Sequence, residues 1–441
     1  MKISNLLTVV FLLSLTSVLA QERTNLNLKD ALVLLEKNNH EVALANTKAE
    51  TKKYEWEQSK NHQYPDVKLS GQYMHLTDAD VKLKFPSSSS GGSSSSPKVN
   101  QLMLGQANAS LPLFSGGKIR NGIKASENLY KAEVANSLNS KEELAMKVIE
   151  YYAQLYKALK TVEFTQDNLK SAQERVKDFN NLEQNGIIAR NDLLKAQLQL
   201  AKVQLSLDEA NKNVNVVNFA LVTLLDLPQD YKIGIDEHQF DGNTPLTPIT
   251  STEQAIQNRK DLEAVHYYQK ANENSIKIAR SGYYPSIALS AGYIALSLEN
   301  VADVTNAMNF GGGISYNLSS LFKTTKEVKV AKSKAEELKQ TEALLQEGIK
   351  IQTQQAFENF VLAQKQNKVY EQAIEQTKEN YRIVKDKHTN GLATATELID
   401  ADVEQLNAQI NFANSRANIL LKYYEMLSVS GVLNSSFNLT K

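Results

Sequence analysis

The ten residues at 64–73, YPDVKLSGQY, return at 284–293 as YPSIALSAGY, five of them identical, 220 residues further on. A chain that writes one strand-like segment twice is built from two related halves, and what one half forms the other must form too. In the first copy Val67, Leu69, Gly71 and Tyr73 alternate with Asp66, Lys68, Ser70 and Gln72. In the second, Ile287, Leu289, Ala291 and Tyr293 alternate with Ser286, Ala288, Ser290 and Gly292. Period-two alternation gives a strand with one apolar face and one polar or small face. A second alternating run follows each copy, around Ala107–Leu113 and Phe310–Leu318, so each half predicts a β-hairpin, over 64–114 and 284–318. The first hairpin is joined by KFPSSSSGGSSSSPKVN, whose composition cannot build a packed core; the second is expected to loop across the shorter SLENVADVTNAM. FGGGIS at 310–315 lacks the G-x-x-x-x-G-K pattern of a nucleotide loop, and its glycines are read as admitting close packing in a barrel wall.

Helix follows each hairpin. No proline occurs between Leu113 and Leu227. Leu144, Val148, Tyr151, Leu155, Ala158 and Val162 step by four and three, as do Ala196, Leu200, Val203, Leu207, Ala210, Val214, Val217, Leu221 and Leu224. Ile399, Val403, Leu406, Ile410, Ala413, Ala417 and Leu420 repeat the pattern. Such a heptad seam marks coiled-coil packing. Each helical stretch breaks once at Asn-Gly, in NGIIARNDLLKAQ (185–197) and NGLATATELIDAD (390–402), 205 residues apart. Helix over 118–182 would be about 90–100 Å long at ~1.5 Å per residue. The fold class is therefore mainly α with a small β part. Two structural repeats, 21–240 and 241–441, each hold a helix, a β-hairpin and a long antiparallel helical hairpin, turning near 185–191 and near 390–396. Residues 226–251 link them.

Residues 1–20 read as a secretory signal peptide: Lys2, an apolar stretch from Leu6 to Leu15, and Val18-Leu19-Ala20 before a cut at Gln21. No later stretch approaches the ~18–20 apolar residues of a membrane helix, so any membrane span must be something else. The absence of cysteine excludes disulfides, thiol chemistry and a lipid-bearing cysteine. The balance of 49 basic and 49 acidic residues argues against nucleic acid as a partner. The six histidines fall in no zinc spacing, the methionines form no cluster, and no nucleophile–base set is evident. No metal, cofactor or enzyme activity is expected.

Four alternating strands pose a problem in lipid. An open sheet leaves edge groups unsatisfied, so only closed barrels span membranes, and about eight strands is the practical minimum. The protomer must pool strands with copies of itself, eight in a dimer or twelve in a trimer. Small inward residues such as Ser70, Ser290 and Gly292 would fill an eight-stranded interior poorly, which favours twelve and a water channel. Tyr73 and Tyr293 then suit an interfacial aromatic belt. The competing readings are a soluble hairpin packed on a helical core and a secreted coiled-coil scaffold or adhesin without a pore.

The signal peptide, the duplicated halves, YPDVKLSGQY and YPSIALSAGY entering the strands, LPLFSGGKIRNGIKAS leaving one, and the glycine turns before DLLKAQ and ELIDAD together resemble the outer membrane factor (TolC-like) family. The resemblance covers essentially the whole mature chain. It implies a homotrimer with a twelve-stranded barrel in the outer membrane of a Gram-negative cell and a twelve-helix tunnel across the periplasm. Such a duct serves tripartite efflux or type I secretion. Its partners would be outer-membrane lipid, a periplasmic adaptor (membrane fusion protein) and an inner-membrane transporter of RND, ABC or MFS type.

The turns carry the candidate site. Glu397 and Asp400 are three apart and share a helix face. In a trimer they would form two rings of three carboxylates, which select cations and repel one another when closed. Thr394 and Glu397 also have capping-box spacing, a purely structural reading. The resemblance implies that acids here build the periplasmic constriction, with Asp192 at the corresponding place after the first turn. Better-known members latch the closed tip through a tyrosine and an arginine near the second turn. The matching positions here are His388 and Ala393, so the latch would need substitutes such as Arg190 or Lys195. Gly186, Ile187, Ile188, Gly391 and Leu392 are the candidates for docking the adaptor, with ordinary turn packing as the alternative.

Overall fold

The structure, a computed structural model, describes residues 24–80, 98–241 and 251–438. The expected signal peptide and most of the serine-rich connection lie outside the described residues. The described chain divides into two units: 48–80, 98–134 and 264–343 in one; 24–47, 135–241, 251–263 and 344–438 in the other.

The first of these units holds the sheet. Its strands are β2 (Asp66–Asp80), β3 (Lys98–Ser115), β5 (Ser286–Leu298) and β6 (Ala302–Ser315), antiparallel in the order β2-β3-β5-β6. The two hairpins share one register: Asp66 lies opposite Ser110 and Ser286 opposite Ser315, equivalent residues under the two sequence offsets. Rows across the sheet keep the expected faces. Leu69, Ala107, Tyr293 and Met308 form one apolar row, and Val67, Ala109, Ala291 and Phe310 the next. The opposite face carries Lys68, Asn108, Gly292 and Asn309 in one row, and Asp66, Ser110, Ser290 and Gly311 in another. The apolar face is uncovered: Phe310 is 92% exposed, Leu69 87% and Met308 77%. A water-soluble sheet turns such a face onto a core.

Three features differ from the sequence reading or add to it. The second hairpin closes at residues 299–301, so the strands run through most of SLENVADVTNAM. Asn300 supplies the turn's left-handed residue (φ 61°), a conformation asparagine tolerates. Asp303 and Asn306 are turn-forming types, but here they take cross-strand partners, the Ser297 hydroxyl at 2.6 Å and the Tyr293 hydroxyl at 3.4 Å. The Gly311–Gly313 run admits no close packing within one protomer: nothing lies within 4 Å of a Cβ placed at Gly311 or Gly313, and at Gly312 the nearest atom is a Leu289 methyl at 3.7 Å. Pro112 sits inside β3, where its missing N–H is tolerated because the ladder shifts between Pro112 and Phe114, leaving Leu113 bulged.

In the other unit, β1 (Thr24–Leu26) pairs in parallel with β4 (Ile233–Ile235), two three-residue strands that no sequence pattern announced. Helices α1 (Leu28–Asn38) and α2 (His40–Asn61) follow β1, and α5 (Thr252–Asn258) and α6 (Lys260–Arg280) repeat them, with most of α2 and α6 belonging to the unit that holds the sheet. Asn27 and Ser251 cap the first helix of each pair through their side chains. The long hairpins are α3 (Lys118–Gln184, 67 residues) with α4 (Arg190–Leu224), and α7 (Ser320–Thr389, 70 residues) with α8 (Ala395–Val429). A short α9 (Leu433–Ser436) ends the described chain. α4 and α8 are both 35 residues long and start 205 residues apart, so these two arms match residue for residue.

Much of the seam falls where the heptads put it, while Val403, Leu406 and Ile410 stay half-buried. Leu144, Val148, Leu155, Val217, Leu221, Ala413, Ala417 and Leu420 share one buried core with Leu28, Leu32 and Ile233. Tyr152 sits at its centre; its hydroxyl donates to the Leu26 carbonyl at 2.8 Å and accepts from the Asp236 amide at 3.1 Å. A buried phenol with both roles satisfied anchors the small parallel pair to α3. Asn39 does the same between helices: its side-chain amide donates to the Leu224 carbonyl at 2.7 Å, closing the C-terminus of α4.

Candidate functional site

Both long helices stop by one mechanism. At Gly186 (φ 71°) the Gly186 amide donates to Glu183 and the Ile187 amide to Leu182, each at 2.9 Å. At Gly391 (φ 73°) the equivalent bonds run to His388 at 3.0 Å and from Leu392 to Lys387 at 2.8 Å. These are paired Schellman closures, and the left-handed residue each requires explains the glycine. The residue after each glycine is thrown outward, so Ile187 is 67% exposed and Leu392 77%. Ile188 departs from the expectation of exposure. It packs against Phe179, Leu193, Ala196, Ala395 and Leu398, because the chain has by then turned back onto the seam.

The acids separate by role. Glu397 is engaged in a full capping box: its carboxylate accepts from the Thr394 amide at 2.6 Å while Thr394 Oγ1 accepts from the Glu397 amide at 3.2 Å. Those bonds to Thr394 hold the Glu397 carboxyl below its ordinary value. Asp400, one turn further on, is exposed. Asp192 occupies the place equivalent to Glu397, but its helix begins after Ala189, which offers no side-chain cap. Instead Lys195 lies 3.6 Å from Asp192 and donates to Thr396 Oγ1 at 3.1 Å, tying the two turns together. Of the two latch substitutes, Lys195 therefore faces Asp192, whereas Arg190 pairs with Glu183 at 3.3 Å within its own turn.

The strongest ionic feature at the turns escaped the sequence reading. Arg175 on α3 and Asp402 on α8 lie 2.9 Å apart with side chains only 7% and 6% exposed. The Asn168 amide donates to the same Asp402 oxygen at 2.9 Å. The Arg175–Asp402 approach is close but angled away from an ideal hydrogen bond, and Asn168 Oδ1 has no partner among the described residues. One signal was available. Asn168 and Arg175 are seven residues apart, one heptad, so they share a helix face. The bridge has no copy on the other side of the repeat: the positions 205 residues away hold Ala373, Asn380 and Gln197.

Among the described residues no acid exchanges a hydrogen bond with His388; its ring stacks on Phe179 with centroids 5.3 Å apart. Burial first, then the Arg175 charge, push its pKa below the ordinary 6.5, while Asp192 works in the opposite direction. A folded value below the unfolded one gives stability that is complete above pH 6.5 and is lost as pH falls through the folded value. Acidification from pH 7 to pH 5 should therefore reduce hydrogen-exchange protection around the turns. His388→Phe keeps a stacking ring and should remove that sensitivity; an equal acid response in both proteins would contradict the assignment.

Among the described residues no three His, Cys, Asp or Glu side chains are grouped to hold a metal, and no helix is long and apolar enough to cross a membrane. The sequence matches the family model "Outer membrane efflux protein" over residues 31–226 and 252–431. No curated protein sequence matches it. Among solved structures it is similar to the outer-membrane channel OprN, at 17% identity and a TM-score of 0.79, over 92% of this chain and 89% of that one. It is also similar to VceC of Vibrio cholerae, at 17% identity and a TM-score of 0.75, over 92% and 96%. The CmeC outer membrane channel of Campylobacter jejuni gives 17% identity and a TM-score of 0.78, over 92% and 86%.

Proposed function

Because the chain belongs to the outer membrane efflux protein family, we propose that it is the outer-membrane exit duct of a tripartite efflux pump, working as a homotrimer. The observation that carries this reading is the sheet: one face bare and apolar, the other polar around Lys68, Asn108, Ser290 and Asn309, with no partner strand for the outer edges of β2 and β6 among the described residues. Lipid covers such a face, and further copies of the chain supply the missing strands. Three copies give twelve strands around a lumen lined by Lys68, Asn108, Ser110 and Ser290. A secreted scaffold would have no use for the bare face.

The long helices support the same assembly. Leu198, Leu205 and Phe219 on α4 recur at multiples of seven and are 59%, 60% and 51% exposed. On α7, Leu344 and Ile351 at 69% and 58%, and Leu362 and Val369 at 52% and 62%, do likewise. Heptad-spaced apolar residues left bare in one protomer suit the helices of its neighbours.

Asp400, with Glu397 beside it, would line the constriction at the periplasmic end. Asp400 is the freer acid, since Glu397 spends its carboxylate on the cap. Single-channel recordings of Asp400→Ala should show weaker cation selectivity and weaker block by multivalent cations. Thr394→Ala should instead cost about 0.5–2 kcal/mol of stability and leave permeation as it was. Unaltered selectivity in Asp400→Ala would remove it from the constriction. A photo-cross-linker at Leu392 distinguishes the duct's two services: an adaptor with an RND or MFS transporter supports efflux, and one with an ABC transporter and a secreted protein supports type I secretion.

A further inference from the structure

The two junctions a closed barrel requires are not equally visible in one chain. The junction between the halves is present: β3, the last strand of the first hairpin, pairs with β5, the first strand of the second. The other would join β6, the last strand of the second hairpin, to β2, the first strand of the first. Both are edge strands here. The duplication makes the visible junction a template for the missing one, since β6 repeats β3 at an offset of 205 and β2 precedes β5 by 220.

Resting on the trimer reading above, we propose that β6 of one protomer pairs antiparallel with β2 of the next in the register that β3 and β5 display. Ala107 opposite Tyr293 becomes Gly312 opposite the partner's Tyr73. Asn108 opposite Gly292 becomes Gly313 opposite the partner's Gln72. Gln106 opposite Ile294 becomes Gly311 opposite the partner's Met74, and Ala109 opposite Ala291 becomes Ile314 opposite the partner's Gly71.

The residues so paired are sterically matched, which the template alone did not require. Each glycine meets a residue with a substantial side chain, and Gly312 meets the aromatic ring of Tyr73, the pairing by which an aromatic covers a glycine on a sheet surface. In a single protomer Gly71, Gly311 and Gly313 have nothing within 4 Å of where a Cβ would stand. At the visible junction the space over Gly292 is filled from both sides, by Asn309 of its own hairpin, which lies nearest, and by Asn108 across the junction, 3.0 Å from the Cβ position. A slip of two residues one way sets Gly312 against the partner's Gly71 and leaves a gap in the wall. A slip the other way sets Ile314 against the partner's Tyr73. The glycine triplet is thus the seat for the neighbour's first strand.

The chain has no cysteine, so paired substitutions read the register directly. Directly opposed residues on antiparallel strands have Cα atoms about 4.5–5.5 Å apart, within the disulfide range, whereas neighbours two residues out of register lie about 7–8 Å apart. Full-length Tyr73→Cys/Gly312→Cys and Gln72→Cys/Gly313→Cys, mildly oxidised in membranes, should each run at three times the protomer mass on a non-reducing gel and collapse with reductant. Tyr73→Cys/Phe310→Cys and Tyr73→Cys/Ile314→Cys should remain protomers. The open space at Gly313 and the ordinary contact at Gly312 permit the new Cβ atoms, and either pair answers if the other fails to insert. Cross-linking in a slipped pair instead, or in none while native mass spectrometry of the unmodified chain shows a trimer, would overturn the register and leave the duct reading standing. An unmodified chain that is only a monomer would overturn both.

Discussion

Asp402→Ala should loosen the helical turns more than any other single side-chain truncation in the long hairpins. The carboxylate is 6% exposed and, among the described residues, is the only acid within bonding distance of a guanidinium that is 7% exposed. Removing one member of a buried ion pair leaves the other charged, desolvated and unmatched, at a cost of about 3–5 kcal/mol. Asn168 loses its acceptor in the same step. The cost falls on α3 and α8 where they flank the turns, so hydrogen-exchange protection there should drop by about a hundredfold or more. A duct of these chains should also conduct more readily at rest. Arg175→Met with Asp402→Leu should restore much of the protection, because an apolar pair replaces a buried ionic one at little or no net cost. Wild-type protection in Asp402→Ala would mean that water or a neighbouring protomer already satisfies Arg175.

The second large effect is on membrane insertion. Phe310 stands in the middle of β6 at 92% exposure, on the apolar face. A lysine at the lipid-facing midplane of a barrel costs about 2–4 kcal/mol, less towards the interfaces. A trimer repeats the substitution three times in one barrel, so the cost per assembly reaches roughly 6–12 kcal/mol. Phe310→Lys should therefore fail to yield a detergent-dependent membrane species. Ser290→Lys, on the opposite face, should insert normally and change conductance instead. Equal insertion of both would mean that the apolar face does not meet lipid.

Much of this was legible in the sequence because duplication writes every signal twice. The Tyr-Pro segments and the Asn-Gly turns marked the hairpins, and the heptads marked much of the buried seam, although Val403, Leu406 and Ile410 stay half-buried and Asp402 and Ser415 are buried outside the pattern. What stayed hidden has local causes. Strands of three residues, Thr24–Leu26 and Ile233–Ile235, are too short to show a period. The Glu299–Val301 turn rests on one asparagine in a left-handed conformation, which composition does not distinguish from a longer polar loop. Ile188 reads like Ile187, yet one faces solvent and the other the core, since a Schellman turn rotates the chain between them. The Arg175–Asp402 bridge joins residues 227 positions apart on different halves, and an apolar heptad reading passes over charged seam residues.

In native mass spectrometry of the detergent-extracted chain, a homotrimeric duct gives a dominant species at three times the protomer mass that persists as detergent is stripped. A stable dimer, or a monomer that leaves the membrane without detergent, would contradict it.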